Sequence, residues 1–485
     1  MIRLKNIVKQ MEQDQYNEFA QTLVNGKAGK FHSLLECYKQ NDLSENEIME
    51  SIEVNKNAYY TLKSRLYDKL QEYLIDNIEG PKTDLLRKVA AIPKIIHSAS
   101  RETAIATLTK LEQDLREYDM AYELISVYSA LKKLHINSPK YYQYDKAYNK
   151  HVAYTLAQDK LEDLLGDFNK TLGRYYLSRN SESIEILTLL KQEIANICEL
   201  HDSHHMYVYQ GIANISYSLF VPSCQMKTDA TENDEPVEDM LVRISTILKN
   251  YPIDITYQLL DIVFNFLSFE YYHSLNVHKK ETEYFDTVNE NIGSFLLYNV
   301  TTFPSKFLVS KVRRYKRLNI EDKLFEEDYS LLENMETDQA DIPNYVSQKK
   351  YMAYASFYAG NVDDAIGILN NLLNEISLRE YSHTEIEIKL SLALFYSFVN
   401  EYNLATNLIR SASRKIREFE DRDYENVRVF IKMLQTPMKS NAKNVEDHLL
   451  KLRDRFELLN NSEYKIMDCL KMDDVFIKQL SRAIK

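Results

Sequence analysis

The residue groupings best suited to chemistry are few, and each is incomplete. The stretch NGKAGKF, residues 25–31, contains Gly-Lys, the pair that closes a phosphate-binding loop. Such a loop needs four residues between its glycines, so that backbone N–H groups converge on phosphate, and a Ser or Thr after the lysine. Here Gly26 and Gly29 have only two residues between them and Phe31 follows Lys30, so a turn between helices is expected. His201, His204 and His205 lie in HDSHHMY beside Asp202. His201 and His205 share a helix face at i, i+4, a spacing at which two imidazoles can hold a metal. No second His or Cys group stands at ligand spacing nearby, and a polar surface cluster is the simpler reading. Neither a GxSxG elbow nor an HExxH helix occurs, and acidic pairs such as Asp363-Asp364 read as solvated faces. Cys37, Cys198, Cys224 and Cys469 are scattered singly, as ordinary reduced thiols of a cytosolic protein. The expectation is therefore no catalytic residue, no cofactor and no metal.

The basic run KVRRYKR gathers Lys311, Arg313, Arg314, Lys316 and Arg317. On a helix these wrap most of the circumference, with Val312 and Tyr315 marking the buried edge. Such a patch can steer an acidic partner or a phosphate backbone. Neutralisation by the acidic EEDYSLLENMETD that follows, or plain solvation, is the expected outcome.

The elements that position these residues follow from composition. The chain has 9 Gly and 9 Pro in 485 residues, where Gly alone usually makes up roughly 7 %. Strand-rich folds need Gly in hairpins and nucleotide sites need it in phosphate loops, so its scarcity favours long helices joined by short polar turns. The fold class expected is all-α. A net charge of −12 and a pI of about 5.5 repel nucleic acid and anionic membrane as a whole, without excluding a local basic patch. The opening MIRLKNIVKQMEQDQYNEF is charged throughout and lacks the apolar core of a signal peptide. The most hydrophobic stretch, ITYQLLDIVFNFLSF, carries Asp261 and stops at Glu270, which suits a buried helix better than a membrane span. A cytoplasmic location follows. Tyrosine is abundant at 36 and Trp absent. Tyr packs between helices while its hydroxyl still reaches a polar partner, so inter-helix packing is its expected role.

Along the chain, residues 1–80 read as a helical unit ending at the break Gly80-Pro81. Residues 84–221 form the first part of a helical array, with Leu115, Tyr118, Tyr122, Ile125 and Leu131 near helical spacing. Residues 222–239, acidic and bracketed by Pro222 and Pro236, read as a mobile loop. Residues 240–485 form the second part, interrupted near Asp341-Ile342-Pro343. The clearest internal repeat lies at 350–415. Ala353 and Ala365 recur as Ala393 and Ala405, 40 residues later, around the turns Gly360-Asn361-Val362 and Asn400-Glu401-Tyr402. Small residues there let two helices approach closely.

This pattern resembles the tetratricopeptide repeat, a small residue, a Gly or Asn turn, then Ala followed by aliphatics. In a third stretch, REYDMAYELI, Tyr118 and Ala121 stand as Tyr402 and Ala405 do. The family's usual Trp and repeat-ending Pro are missing, and the units are longer than its roughly 34 residues. The resemblance implies stacked helix pairs that bind a protein or peptide, with Tyr354, Phe357, Asn361, Asn400 and Tyr402 as contact residues.

Residues 42–74 contain a second pattern. Ser44 and Glu47 form a capping box, Ile48 and Ile52 point one way, Val54 closes a short turn, and Asn55 or Asn57 caps the next helix. Tyr59, Leu62, Leu66, Leu70 and Tyr73 then make an apolar stripe. The segment resembles the helix-turn-helix of sigma-factor region 4 and of quorum-sensing response regulators, through Ile52-Glu53-Val54-Asn55 and Ser64-Arg65-Leu66-Tyr67-Asp68-Lys69-Leu70. Glu53 stands where that family has Gly, a change that costs about 1 kcal/mol in a left-handed turn. The resemblance implies DNA contact by Lys56, Tyr60, Lys63, Ser64 and Tyr67. A helical hairpin used for protein contact or packing is the other reading. Two functions are thus expected in order: a non-enzymatic cytoplasmic adaptor, and a DNA-binding regulator with the array as its sensor.

Overall fold

The computed structural model describes residues 4, 8, 11, 13–25, 29–40, 45–76, 81–201, 203–221, 235–251, 255–297, 301–333, 335, 337–419, 424–439, 445–461 and 464–482. Gly26, Ser44, Gly80, Asp202, Cys224 and the 222–234 part of the acidic segment lie outside these residues. Every regular element among the described residues is a helix, and helices adjacent in sequence pack in pairs. The chain divides into two compact units, Met1–Thr107 and Leu108–Lys485.

The first unit contains α1 (Gln13–Asn25), α2 (Gly29–Gln40), α3 (Glu45–Ser51), α4 (Lys56–Asp76), α5 (Pro81–Ala90), α6 (Ile92–Ser98) and the start of α7 (Arg101–Glu117). The expected stripe on α4 is its inner face. Tyr59, Leu66 and Leu70 are fully buried, and Leu62 and Tyr73 pack against the same cluster. Ile48 of α3 and Ile52 in the turn after it join them, as do Phe19, Leu34, Leu35 and Tyr38 from α1 and α2. Asn55 is the residue that caps α4, its Oδ1 accepting from the Ala58 N–H at 2.9 Å.

The second unit runs through α8 (Ala121–Leu134), the long α9 (Lys140–Ser178), α10 (Ser181–Glu199), α11 (His204–Phe220), α12 (Val237–Asn250), α13 (Ile255–Ser274), α14 (His278–Glu290), α15 (Ile292–Leu297) and α16 (Phe303–Leu318). A π-helical turn at Phe325–Tyr329 leads into α17 (Ser330–Glu333). Then come α18 (Ile342–Tyr358), α19 (Val362–Glu375), α20 (Ser382–Phe398), α21 (Tyr402–Ile416), α22 (Glu425–Lys439), α23 (Val445–Leu459) and α24 (Asp474–Arg482). The tightest pairs are α8 with α9, α9 with α10, α13 with α14, α18 with α19, α20 with α21, and α22 with α23. The ITYQLLDIVFNFLSF stretch is α13, whose Val263, Phe266 and Leu267 are fully buried. Among the described residues no helix is long and apolar enough to cross a membrane.

One turn geometry recurs between paired helices. Asn276, Asn319, Gly360 and Asn400 are all left-handed, with φ of +57°, +57°, +84° and +64°. In each turn that residue's N–H donates to the carbonyl three positions back, and the next N–H donates five positions back. These bonds satisfy the last carbonyls of the preceding helix, and Gly and Asn are the residues that tolerate the conformation best. The turns fall 43, 41 and 40 residues apart. Five residues beyond each lies a side chain with no exposure: Glu281, Leu324, Ala365 and Ala405. Glu53 and Asp119 adopt the same conformation, with φ of +51°, and make the same pair of bonds. Tyrosine serves packing as expected: Tyr38, Tyr59, Tyr128, Tyr175, Tyr351, Tyr354 and Tyr424 are among the largest fully buried side chains.

Candidate functional site

Helix α16 carries the basic run, and its cations are drawn inward rather than spread over a solvated face. Val312 and Tyr315 are buried as expected, but so are Lys311 and Arg314. The Lys311 ammonium lies 2.8 Å from Glu327 and 2.7 Å from Asp328, both in the acidic stretch that follows and both carried by the π-helical turn. Arg313 pairs with Glu270 of α13 at 3.3 Å. Arg314 reaches Glu281 of α14 at 3.2 Å, and Arg317 hydrogen-bonds the same carboxylate. His273 and His278 complete the shell around Glu281 at 3.1 and 3.2 Å. Burial alone would raise the Glu281 pKa, but hydrogen bonds from Arg317, His278 and His273 outweigh it and hold the carboxyl down at about 2.

The remaining cation, Lys316, points at main chain. Its ammonium donates to the carbonyls of Asp468 and Leu470, at 2.7 and 3.1 Å. These belong to a non-helical segment, 464–473, that connects α23 to α24 and is gripped along its backbone by side chains. Asn426 of α22 donates to the Tyr464 carbonyl at 2.8 Å. His383 of α20 donates through Nε2 to the Lys465 carbonyl at 3.1 Å. Asn460 both donates to the Ile466 carbonyl and accepts from its N–H. Glu387 of α20 accepts from the Met467 N–H at 3.0 Å. The Tyr358 hydroxyl of α18 donates to the Cys469 carbonyl at 2.6 Å and accepts from the Lys471 N–H at 2.9 Å. Every residue from Tyr464 to Lys471 thus has a main-chain group held by a side chain. Ile466, Met467, Cys469 and Leu470 are buried at the same place.

Beneath this segment is a cavity of about 100 Å³. Its walls are the end of α9 (Tyr176, Leu177, Arg179), the start of α16 (Thr302, Lys306, Val309), one face of α18 (Val346, Ser347, Lys350), one face of α20 (His383, Thr384, Glu387), and Lys465 and Asp468. Gly173 lets α9 come this close, since a Cβ there would lie 2.7 Å from Thr302 Cγ2 and 3.2 Å from Pro343. Thr384 ties α20 to the Leu177 carbonyl at 3.0 Å. The Lys350 ammonium sits 2.5 Å from Glu387, whose charge raises the lysine pKa against the lowering effect of burial. Burial, with the charges of Arg179 and Lys350, keeps the His383 imidazole neutral far below its ordinary range. Burial also lowers Lys306 to about 7, against the opposing pull of Glu270.

The expected contact residues are distributed unevenly with respect to this site. Tyr354 is fully buried, bonded to Ser391 at 2.8 Å with Met467 of the bound segment beside it at 4.0 Å. Phe357 is half-buried and stacks on Phe395 at 4.7 Å. Asn361 and Asn400 are exposed turn residues, and Tyr402 donates to Asn400 Oδ1 at 2.7 Å. On α4, Lys56 and Ser64 are exposed, whereas Tyr60, Lys63 and Tyr67 are half-buried. Tyr60 and Tyr67 pack against the first unit's core, and Lys63 lies over the Tyr59 ring. The histidine cluster is engaged with aromatic rings: His201 with Tyr154, His204 with Tyr251, and His205 with Tyr209. Among the described residues no group of three or more His, Cys, Asp or Glu is placed to hold a metal. Tyr358, His383, Glu387 and Asn426 were not singled out from sequence, and Lys316 was read only as one cation of the basic run. On α20, His383 and Glu387 stand at i, i+4 with Ser391 one turn further, a buried polar row within an otherwise apolar helix.

No family model, no curated protein and no solved structure matches this chain.

Proposed function

We propose that the chain is a non-enzymatic scaffold that binds an extended segment of a protein partner on the inner helices of a tetratricopeptide-like array, in the cytoplasm. The observation that carries this reading is the gripping of residues 464–471 by Lys316, Tyr358, His383, Glu387 and Asn426. Side chains from successive helix pairs that hydrogen-bond another segment's main chain supply affinity without dictating its sequence, while small apolar pockets read alternate residues. The left-handed turns at intervals near 40 residues, and the buried Ala365 and Ala405 beyond two of them, support a repeated pair as the unit. Unpaired Cys37, Cys198 and Cys469 suit a reducing compartment. On this reading the chain's own 464–473 segment occupies the groove, and a partner segment competes with it.

The test is capture from native lysate on immobilised full-length chain, with and without a synthetic peptide of residues 464–473. One dominant protein displaced by that peptide is the expected result. Capture of nothing, or capture the peptide leaves untouched, overturns the reading.

A second reading, duplex DNA contact by α3 and α4, is favoured by one observation. Glu53 holds the left-handed turn that the helix-turn-helix geometry requires, although it is not Gly. Binding that weakens steeply with salt and is abolished by Lys63→Glu is its expected signature; binding indifferent to both refutes it.

A further inference from the structure

The cavity beneath residues 464–473 has donors that nothing in the protein satisfies. Among the described residues, no carboxylate lies within ion-pair distance of the Lys306 ammonium, which rests over the rings of Tyr176 and Phe220 at 3.8 and 4.0 Å. Arg179 Nε, the Tyr176 hydroxyl and Thr302 Oγ1 are all buried without a hydrogen-bond partner. Buried polar groups are almost always paired, so three buried orphans and a lysine without a carboxylate around one small space indicate a missing acceptor. The carboxylates of the wall are already engaged. Glu387 holds Lys350 and the Met467 N–H, and Asp468 holds Lys465 at 3.2 Å. Glu270, just behind, holds Arg313 and Ser310. Arg179 is moreover left-handed, with φ of +57°, at the end of α9, a conformation that a non-Gly residue keeps only where its surroundings impose it.

We propose that this cavity binds one small tetrahedral oxyanion, phosphate or sulfate in class, between Lys306 and Arg179, with the hydroxyls of Tyr176 and Thr302 as further donors. The donors come from the end of α9, from the residue before α16 and from the first turn of α16, so they approach from several directions. A tetrahedral ion offers acceptors toward all of them, whereas the lone pairs of a carboxylate lie in one plane. A volume of about 100 Å³ admits an ion of this size and excludes a nucleotide. Binding also protonates Lys306, because an anion beside a lysine desolvated to a pKa of about 7 restores the charged form. The charged and titratable groups facing Lys306 are Glu270, Arg179, Arg313, Asp468 and Tyr176. The four proposed donors lie on or beside α9 and α16, outside the 464–473 segment, although Lys465 and Asp468 of that segment wall the cavity.

The experiment is calorimetric titration of the full chain in chloride-free buffer at constant ionic strength, using inorganic phosphate, sulfate, acetate and chloride in turn. Saturable binding of one phosphate or sulfate is expected, with acetate and chloride much weaker. Lys306→Met and Arg179→Gln each weaken it at least tenfold. Sulfate keeps its charge from pH 6.5 to 8.5, and over that range its affinity falls by about tenfold or more; in Lys306→Met it is flat. Lys306→Met removes an uncompensated buried cation, so its unfolding temperature without ligand stays level or rises, which separates loss of binding from loss of fold. O-phosphoserine distinguishes the source: binding equal to phosphate means an ion carried on a larger molecule, and exclusion means the free ion. No saturable binding, binding that survives both substitutions, or equal binding of acetate or chloride overturns the proposal.

Discussion

Glu281→Gln is the perturbation whose size the structure defines best. Glu281 occupies the fully buried position five residues past the Asn276 turn, where the later pairs place Ala365 and Ala405. It is the common counter-ion of Arg314 and Arg317, with His273 and His278 hydrogen-bonded to it. Its carboxyl is held at about 2 against an ordinary 4.5. Because that pKa is depressed on folding, the stabilisation is complete above the unfolded value and is lost as pH falls through the folded one. The difference corresponds to about 3 kcal/mol at pH 7 and about 2 kcal/mol at pH 3.5. Glutamine keeps the shape and removes the charge, so the variant should lose about 3 kcal/mol at pH 7, and the gap to the parent should narrow by about 1 kcal/mol at pH 3.5. For a unit spanning Leu108–Lys485 that loss lowers the unfolding midpoint by about 4 °C. Calorimetric scans of both proteins at pH 7, 5 and 3.5 measure it. A gap that stays constant across this range, or widens in acid, refutes the assignment of Glu281 as the charge that holds α14 to α16.

Asp328→Asn should cost about 2–3 kcal/mol in urea unfolding, because Lys311 keeps only Glu327, and adding Lys311→Met should recover most of the loss. Tyr358→Phe removes the hydroxyl that bridges the Cys469 carbonyl and the Lys471 N–H; hydrogen exchange should quicken in residues 464–473 by about 1–2 kcal/mol of local stability and stay unchanged in the first unit. Gly173→Ala drives a methyl against Thr302 and Pro343 and should destabilise by about 1–3 kcal/mol, read as a lower unfolding midpoint.

Much of the helical framework could be read in the residues because it rests on local rules. Scarce Gly excludes hairpins and phosphate loops, and the spacing of Tyr59, Leu66 and Leu70 identifies the inner face of α4 before any neighbour is known. The turns at Gly360 and Asn400 were legible because Ala follows each at the position of close approach. The same backbone turn at Asn276 and Asn319 was not, since Glu281 and Leu324 fill that position. A pattern of small side chains is a sufficient sign of the turn but not a necessary one. A buried carboxylate fits there as well, provided α16 supplies cations to meet it.

The binding site was harder to read, for a reason particular to charge. Lys311 could be matched with an acidic stretch lying just downstream, since loop closure over so short a distance is cheap and sequence proximity approximates spatial proximity. Glu270 and Glu281 lie upstream on other helices; Glu270 ends the most apolar stretch of the chain, but nothing in the local sequence of either names a cation of α16 as its partner. The same holds for Lys306 in FPSKF, an unremarkable lysine beside a far more conspicuous cluster. Burial reverses the ranking. Lys311, Arg313, Arg314 and Arg317 each meet a carboxylate and Lys316 meets carbonyls, so the conspicuous residues are internally satisfied. Lys306, on the same helix, has an aromatic surround and no such partner. An unbalanced charge costs far more in a low-dielectric interior than on a surface. Loss of the proton offsets part of that cost, as the lowered pKa of Lys306 shows, and an anion would offset the rest, which is why the proposed ligand site rests on the isolated cation and not on the basic run.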